Sequence, residues 1–252
     1  MVQSIGLIGC GKIGHYILET LSDPGAPPLS FIRISKKKDI RYGTAAVIDH
    51  FDKKLYQQTG LIIECAGTEA LKEQGEEALQ YADLMPFSLT ALAEKNFMDR
   101  LCEAARASGH RIFIPHGAIA GIDGIRGGRG QLRSVHIETV KNPQTLGRND
   151  RVRTVVYKGN TREACRLYPK NVNIHAAAAL AGLGFDKTMS TIISDPDTMN
   201  NSHDLIVEGN GFTFRIQITS HAGMGVSGAY TLLSAARSLM DAAYLKDTLQ
   251  FV

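Results

Sequence analysis

Gly9-Cys10-Gly11-Lys12-Ile13-Gly14 constrains the fold more than any other stretch of the chain. It follows Ser4-Ile5-Gly6-Leu7-Ile8, an apolar run that reads as a short buried strand, and precedes His15-Tyr16-Ile17-Leu18-Glu19-Thr20-Leu21, which reads as a helix. In that setting each glycine of G-x-G-x-x-G has its own task. The first permits the tight turn, the second lets a pyrophosphate approach the backbone, and the third lets helix and strand pack closely. The free N–H groups at the helix start then meet the phosphate charge. The pattern points to dinucleotide binding through Gly9, Gly11, Lys12, Ile13 and Gly14; the bland alternative is a glycine-rich turn in some other α/β protein. The next strand, Ser30-Phe31-Ile32-Arg33-Ile34, ends in Ser35-Lys36-Lys37-Lys38. An NAD-binding domain usually carries an acid there for the ribose 2′-OH, whereas Ser35 and Lys36 can meet a 2′-phosphate. NADP is therefore expected to be used at least as well as NAD.

Strand and helix signals alternate through the first 115 residues. Gly60-Leu61-Ile62-Ile63-Glu64-Cys65-Ala66-Gly67 is an apolar strand ending in small residues, which places Cys65 and Ala66 at the crevice where ligands bind. Thr68 is a helix N-cap by type. Tyr81 to Ser88 reads as another strand, Asn96 to Ser108 as a helix with Phe97, Leu101 and Ala104 or Ala105 at helical spacing, and Arg111-Ile112-Phe113-Ile114-Pro115 as the last strand of this half. Such alternation implies a doubly wound parallel sheet of Rossmann type over residues 1–115.

Small residues dominate from His116 to Asp123, marking entry to a second domain over 116–227. Ser134 to Val140, Arg153 to Lys158 and Phe212 to Ile218 alternate with period two, as in an antiparallel sheet with one covered face. That apolar face is a natural dimer surface. Asn173 to Gly184 is an alanine-rich helix, and the segment 228–252 contains a helix with one apolar face expected to pack back on the first domain.

Composition excludes several classes of protein. A net charge of +3 is too small to imply nucleic acid as a partner, and the arginines at 126, 129, 133, 148, 151 and 153 read as a solvated surface. Cys10, Cys65, Cys102 and Cys165 show no CxxC pairing and no metal-like spacing with histidine, so they read as reduced thiols of a cytoplasmic protein. No apolar run reaches the roughly 18 residues of a membrane span, and Lys12 and His15 interrupt the N-terminal apolar stretch that a signal peptide needs.

Histidine is the natural acid–base group near neutrality. Of eight histidines, His203 lies in the polar stretch Asp195-Pro196-Asp197-Thr198-Met199-Asn200-Asn201-Ser202-His203-Asp204, which reads either as a functional loop or as a surface loop held by Asx turns. His116 is its rival, because it follows the last strand of the first half. No third ligand accompanies the two in metal-like spacing, and no G-x-S-x-G elbow is present, so no metal and no serine hydrolase are expected. In Lys170-Asn171-Val172-Asn173, asparagine at a helix start caps free amides and leaves donors for a cofactor carboxamide or a substrate carboxylate.

Several further segments carry a family pattern. They are Gly6 to Gly14, Glu64-Cys65-Ala66, Pro115-His116-Gly117-Ala118-Ile119-Ala120-Gly121-Ile122-Asp123, Glu138-Thr139-Val140-Lys141, Tyr168 to Asn173, Ala181 to Asp186, and Asp195-Pro196 followed by Asn201-Ser202-His203. With these, the chain resembles the L-aspartate dehydrogenase family over nearly its whole length. The resemblance implies a second α+β domain like the C-terminal half of glyceraldehyde-3-phosphate dehydrogenase, and a homodimer. It implies reversible oxidative deamination of L-aspartate to oxaloacetate and ammonia through iminoaspartate, which can feed NAD biosynthesis. It makes the position of His203 the catalytic acid/base and puts Ala120 and Asn173, with Ala118 beside them, at the nicotinamide cofactor. His116, Lys170 and Asn171 are left as substrate-binding candidates. The chain departs from the family in three places: His116 stands where serine is usual, Ser35 and its lysines where an acid is common, and Ala222-Gly223-Met224-Gly225-Val226-Ser227 where an Asn-Pro-Lys-Thr-Ser segment is usual. The alternatives are a same-fold dehydrogenase for another amino or oxo acid and a non-catalytic dinucleotide-binding protein.

Overall fold

A computed structural model of the chain describes residues 4–35, 42–221 and 228–244. Lys36, the two lysines after it, the segment 222–227 and the end of the expected C-terminal helix lie outside the described residues. The chain divides into two units.

The first unit holds β1 (Ile5–Ile8), α1 (Lys12–Thr20), β2 (Leu29–Arg33), β3 (Ala46–Ile48), α2 (Lys53–Gln57), β4 (Leu61–Glu64), α3 (Thr68–Leu79), β5 (Asp83–Pro86) and α4 (Lys95–Ser108). Its strands are all parallel, in the order β3-β2-β1-β4-β5. Every residue of β1 and β4 is buried. Successive strand residues face opposite ways, so both faces of this sheet are covered, as a parallel sheet requires. The order reverses at β1, between β2 and β4, which is the switch point where such sheets bind ligands.

Three local expectations change here. Residues 111–115 form an isolated bridge between Ile112 and Leu84 rather than a full strand. Asp83 draws in both the Arg111 amide, at 2.8 Å, and its guanidinium, and Pro115 has no N–H to continue a ladder. The fifth strand is instead β3, whose three residues are too few to show a period. Thr68 is the first residue of α3, not its cap; the cap is Gly67 at φ +125°, whose amide is bound by Glu64 at 2.8 Å.

The second unit runs from His116, with Leu92–Glu94 joined to it. It comprises α5 (Ile122–Gly127), β6 (Leu132–Lys141), β7 (Thr154–Asn160), α6 (Thr161–Leu167), α7 (Asn173–Ala181), β8 (Met189–Ser194), β9 (Asn201–Gly209) and β10 (Phe212–Ser220). Its sheet has the order β10-β9-β6-β8-β7 and is mixed rather than purely antiparallel, because β6 and β8 run parallel. Five of the six residues of β8 are buried, which erases the alternation by which its neighbours are legible.

On β6 the residues Val135, Ile137, Thr139 and Lys141 are buried while those between them are not. Helix α7 packs against this strand. Glycines let the helices come close: a Cβ at Gly121 would fall 2.1 Å from Ile216, one at Gly124 3.1 Å from Phe214, and one at Gly182 3.2 Å from Val135. The apolar sheet face is thus filled from within the unit and is not open to a second copy. The opposite face is mixed, with the Arg215–Asp204 ion pair on β10 and β9 and exposed Met189 and Val155 toward the other edge, on β8 and β7.

A final helix, α8 (Ala229–Ala243), returns the chain to the first unit, where Ala235, Leu239 and Ala242 join the core formed by Ile5, Leu7, Ile17, Leu61 and Ile63.

Candidate active site

The glycine loop shows the three tasks separately. Gly9 has φ +91°, and a Cβ there would lie 2.6 Å from the Ala66 backbone. Gly14 is held 3.0 Å from the Gly9 carbonyl by the same measure. At Gly11 a Cβ would meet nothing within 4 Å. Among the described residues no packing demands a glycine at this position, so the bare backbone is open to a ligand. Gly11 is also the N-cap of α1 and has no side chain to bond the first amides, which include those of Lys12 and Ile13. The floor beside the loop is braced by Glu64, whose buried carboxylate accepts from Ala66 N at 2.7 Å, Gly67 N at 2.8 Å and Ser88 Oγ at 2.9 Å. Burial pushes its pKa up against the pull of those donors. These residues fit a dinucleotide pyrophosphate. Ser35 is exposed just beyond β2.

The second unit contains the buried histidines. His203 is not in a loop: it is the third residue of β9, 5% exposed, and sits directly opposite Thr139 of β6. The polar stretch before it is partly held by an Asx turn, Asp195 accepting from the Asp197 amide at 3.0 Å. His203 Nδ1 and Thr139 Oγ1 are 2.8 Å apart, and Thr139 Oγ1 lies 2.7 Å from His175 Nε2 of α7. Burial, then the charge of Lys141, lowers the pKa of His203 to about 3. Burial likewise takes His175 well below its ordinary value, and a proton on His203 would press it lower still.

Lys141 ends β6, is 3% exposed and donates to Asn171 Oδ1 at 3.1 Å. Among the described residues it joins no carboxylate in an ion pair. Burial lowers its pKa to about 8. The buried ammonium beside Asn171 is therefore Lys141, whereas Lys170 is exposed. Asn173 opens α7 but is not its cap; Val172 occupies that position and supplies no side-chain bond.

His116 begins the second unit, its carbonyl accepting from the Ile119 amide at 3.1 Å, with Ala118 and Ala120 half-buried in the same turn. The partner that His203 shares through Thr139 is His175 rather than His116. Thr139, Lys141 and His175 were not among the residues singled out from sequence. A signal existed for the first two, as polar residues on the core-facing register of an alternating strand. For His175, inside an alanine-rich helix, none did. Among the described residues no group of three or more His, Cys, Asp or Glu could hold a metal ion, and no helix is long and apolar enough to cross a membrane.

Comparison with known proteins gives the family. The family model described as aspartate dehydrogenase, C-terminal, matches residues 123–242, and that of the homoserine dehydrogenase NAD-binding domain matches residues 9–115. The L-aspartate dehydrogenase of Cupriavidus taiwanensis is 33% identical over 263 residues, covering 95% of this chain and 97% of that protein. The chain belongs to the L-aspartate dehydrogenase family. The Pseudomonas aeruginosa L-aspartate dehydrogenase is 32% identical, covering 96% of this chain and 98% of its own. The crystal structure of aspartate dehydrogenase from Thermotoga maritima matches with a TM-score of 0.83 at 26% identity, covering 99% of each chain. An engineered D-amino acid dehydrogenase bound to NADP+ matches at TM-score 0.54 and 14% identity, a likeness of fold alone. As a member of the L-aspartate dehydrogenase family the chain is a nicotinamide-dependent dehydrogenase, with a Rossmann-type unit followed by the family's C-terminal domain.

Proposed function

We propose that this enzyme catalyses the reversible oxidative deamination of L-aspartate to oxaloacetate and ammonia through iminoaspartate. The observation that carries the reading is a buried neutral histidine, His203, two residues along the sheet face from a buried ammonium, Lys141, that lacks a carboxylate partner among the described residues. A dicarboxylic amino acid needs both a base and a cation.

The bound nicotinamide supplies the acceptor for the hydride that leaves Cα. Gly9, Gly11, Lys12, Ile13, Gly14, Cys65 and Ala66 would hold the dinucleotide; Ala118, Ala120 and Asn173 are cofactor-contact candidates on the family resemblance. Lys141, oriented by Asn171, pairs with a substrate carboxylate. That pairing neutralises the charge which, after burial, holds the His203 pKa down, so substrate binding itself makes His203 a stronger base. His203 then takes a proton from the water that attacks the imine carbon and returns it as ammonia departs. As the C–N bond breaks, the carbinolamine hydroxyl gives its remaining proton to the departing ammonia, which leaves as ammonium, and the water oxygen becomes the keto oxygen of oxaloacetate.

Ser35, where a ribose-binding acid is common, supports use of NADP at least as well as NAD. Initial rates with L-aspartate and each cofactor test both parts. A tenfold preference for NAD in kcat/KM (about 1.4 kcal/mol) would refute the cofactor reading, and turnover with another amino or oxo acid but not L-aspartate would refute the substrate. A His203→Ala protein that kept near-normal turnover would remove the assigned base. We further propose a cytoplasmic homodimer, assembled through the open, mixed face of the second sheet; sedimentation of the purified protein decides its stoichiometry.

A further inference from the structure

The hydroxyl between the two histidines belongs to a longer chain. His175 Nδ1 lies 2.9 Å from Ser190 Oγ of β8, and Ser190 Oγ lies 2.8 Å from Thr161 Oγ1, the first residue of α6. Thr161 Oγ1 in turn donates to the Thr188 carbonyl at 3.0 Å. Thr139, His175, Ser190, Thr161 and Thr188 are all fully buried, so water does not compete for these bonds.

A hydroxyl has one hydrogen to give, and a carbonyl can only accept. The Thr188 carbonyl therefore fixes the direction of the whole series. Thr161 spends its hydrogen on that carbonyl and must accept from Ser190. Ser190, having donated, accepts from His175 Nδ1–H. His175 is neutral, so its Nε2 has a lone pair and accepts from Thr139. Thr139, its hydrogen spent, accepts from His203 Nδ1–H. The Thr188 carbonyl also accepts from the Thr161 amide at 2.9 Å, so the opposite direction would not orphan it; it would forfeit one bond of the series and set the lone pairs of Thr161 Oγ1 and the carbonyl against each other in a dry site.

We infer that Thr139 and His175 are positioning residues which hold His203 as its Nδ1–H tautomer and so leave Nε2 as the proton acceptor. The inference rests on the reading of His203 as the acid–base group, and extends it to the atom that takes the proton. The tautomer is set through four intervening side chains, Thr139, His175, Ser190 and Thr161, by a backbone carbonyl that no side-chain substitution removes. Thr139 acts through His203 and needs no contact with substrate.

The test is nitrogen-15 NMR of the histidine rings in the full-length protein at pH 7.5, with the His203 and His175 signals identified by His203→Asn and His175→Asn. His203 should show a protonated Nδ1 and a bare Nε2, and His175 likewise. Thr139→Val, which keeps the shape and removes the hydroxyl, should give His203 a mixture of tautomers. It should also lower kcat with L-aspartate about ten- to hundredfold with little change in KM, and Thr139→Ser should restore both. A wild-type His203 carrying its proton on Nε2 would overturn the inference. So would a Thr139→Val protein with an unchanged tautomer and kcat. If that variant fails to fold, the wild-type spectrum still decides the tautomer. A protein with the expected spectra but no turnover of L-aspartate would leave the tautomer assignment standing and remove the substrate reading instead.

Discussion

Lys141 Nζ donates to Asn171 Oδ1 at 3.1 Å, and that neutral amide oxygen is a poor replacement for the water the ammonium gave up on burial. The depressed pKa, about 8, expresses this cost. A buried charge kept without a counter-charge is a group held ready for an anion at the expense of stability.

Replacing Lys141 by methionine is therefore expected to stabilise the ligand-free protein while weakening substrate binding. The folded pKa of about 8 lies below the unfolded value of a lysine, so below pH 8 the unfolded state holds the proton more tightly and the penalty is present in full. At pH 7 Lys141→Met should gain on the order of 2–3 kcal/mol in unfolding free energy by urea titration, while KM for L-aspartate rises tenfold or more. A variant that loses stability, or keeps its KM, would contradict this role.

The two buried histidines make a second prediction, of the same sense with pH but in a lower window. Both have folded pKa values below that of free histidine, His203 near 3 and His175 also well down. The unfolded chain thus binds more protons as pH drops below about 6.5. Stability should fall from there toward pH 5, each histidine adding up to about 1.4 kcal/mol per pH unit. Urea midpoints at pH 7 and pH 5 measure the fall, and the fall should shrink in His175→Phe. An unchanged midpoint at pH 5 would mean that these rings are charged or solvated in the native protein.

Two glycines in one loop should respond differently to the same change. Gly9→Ala places a Cβ at φ +91° and 2.6 Å from Ala66, and should cost about 2 kcal/mol or more. Gly11→Ala adds its methyl to open space, so the melting temperature should hold while cofactor affinity drops at least tenfold. Thermal melts with and without NADP separate the two effects. Equal loss of stability in both would show that Gly11 is needed for packing.

What sequence reveals, and what it hides, follows from how each feature is encoded. The glycine loop is legible because its spacing is a local geometric rule, and β6 and β10 because one face of each is covered. β8 is not, since burial on both faces leaves no alternation. Residues 111–115 look like a strand from their apolar content, yet pairing depends on Asp83, distant in sequence. His203 could be named from the family resemblance but was misplaced in a loop, because Asn201 and Ser202 have turn-forming side chains and only the ladder to Thr139 shows them to be strand. The chain from His203 to Thr188 joins five elements and depends on tertiary contact alone.

The return of α8 to the first unit has a consequence for biosynthesis. Ala235 and Leu239 are fully buried against strands that leave the ribosome more than 170 residues earlier. A domain usually folds in the order in which it is made. Here the glycine loop emerges first, but the core beneath it closes only after the entire second unit has been synthesised. The nascent first unit must wait with an apolar face uncovered, and a message truncated before α8 would yield a chain that carries His203 yet has an incomplete cofactor-binding unit.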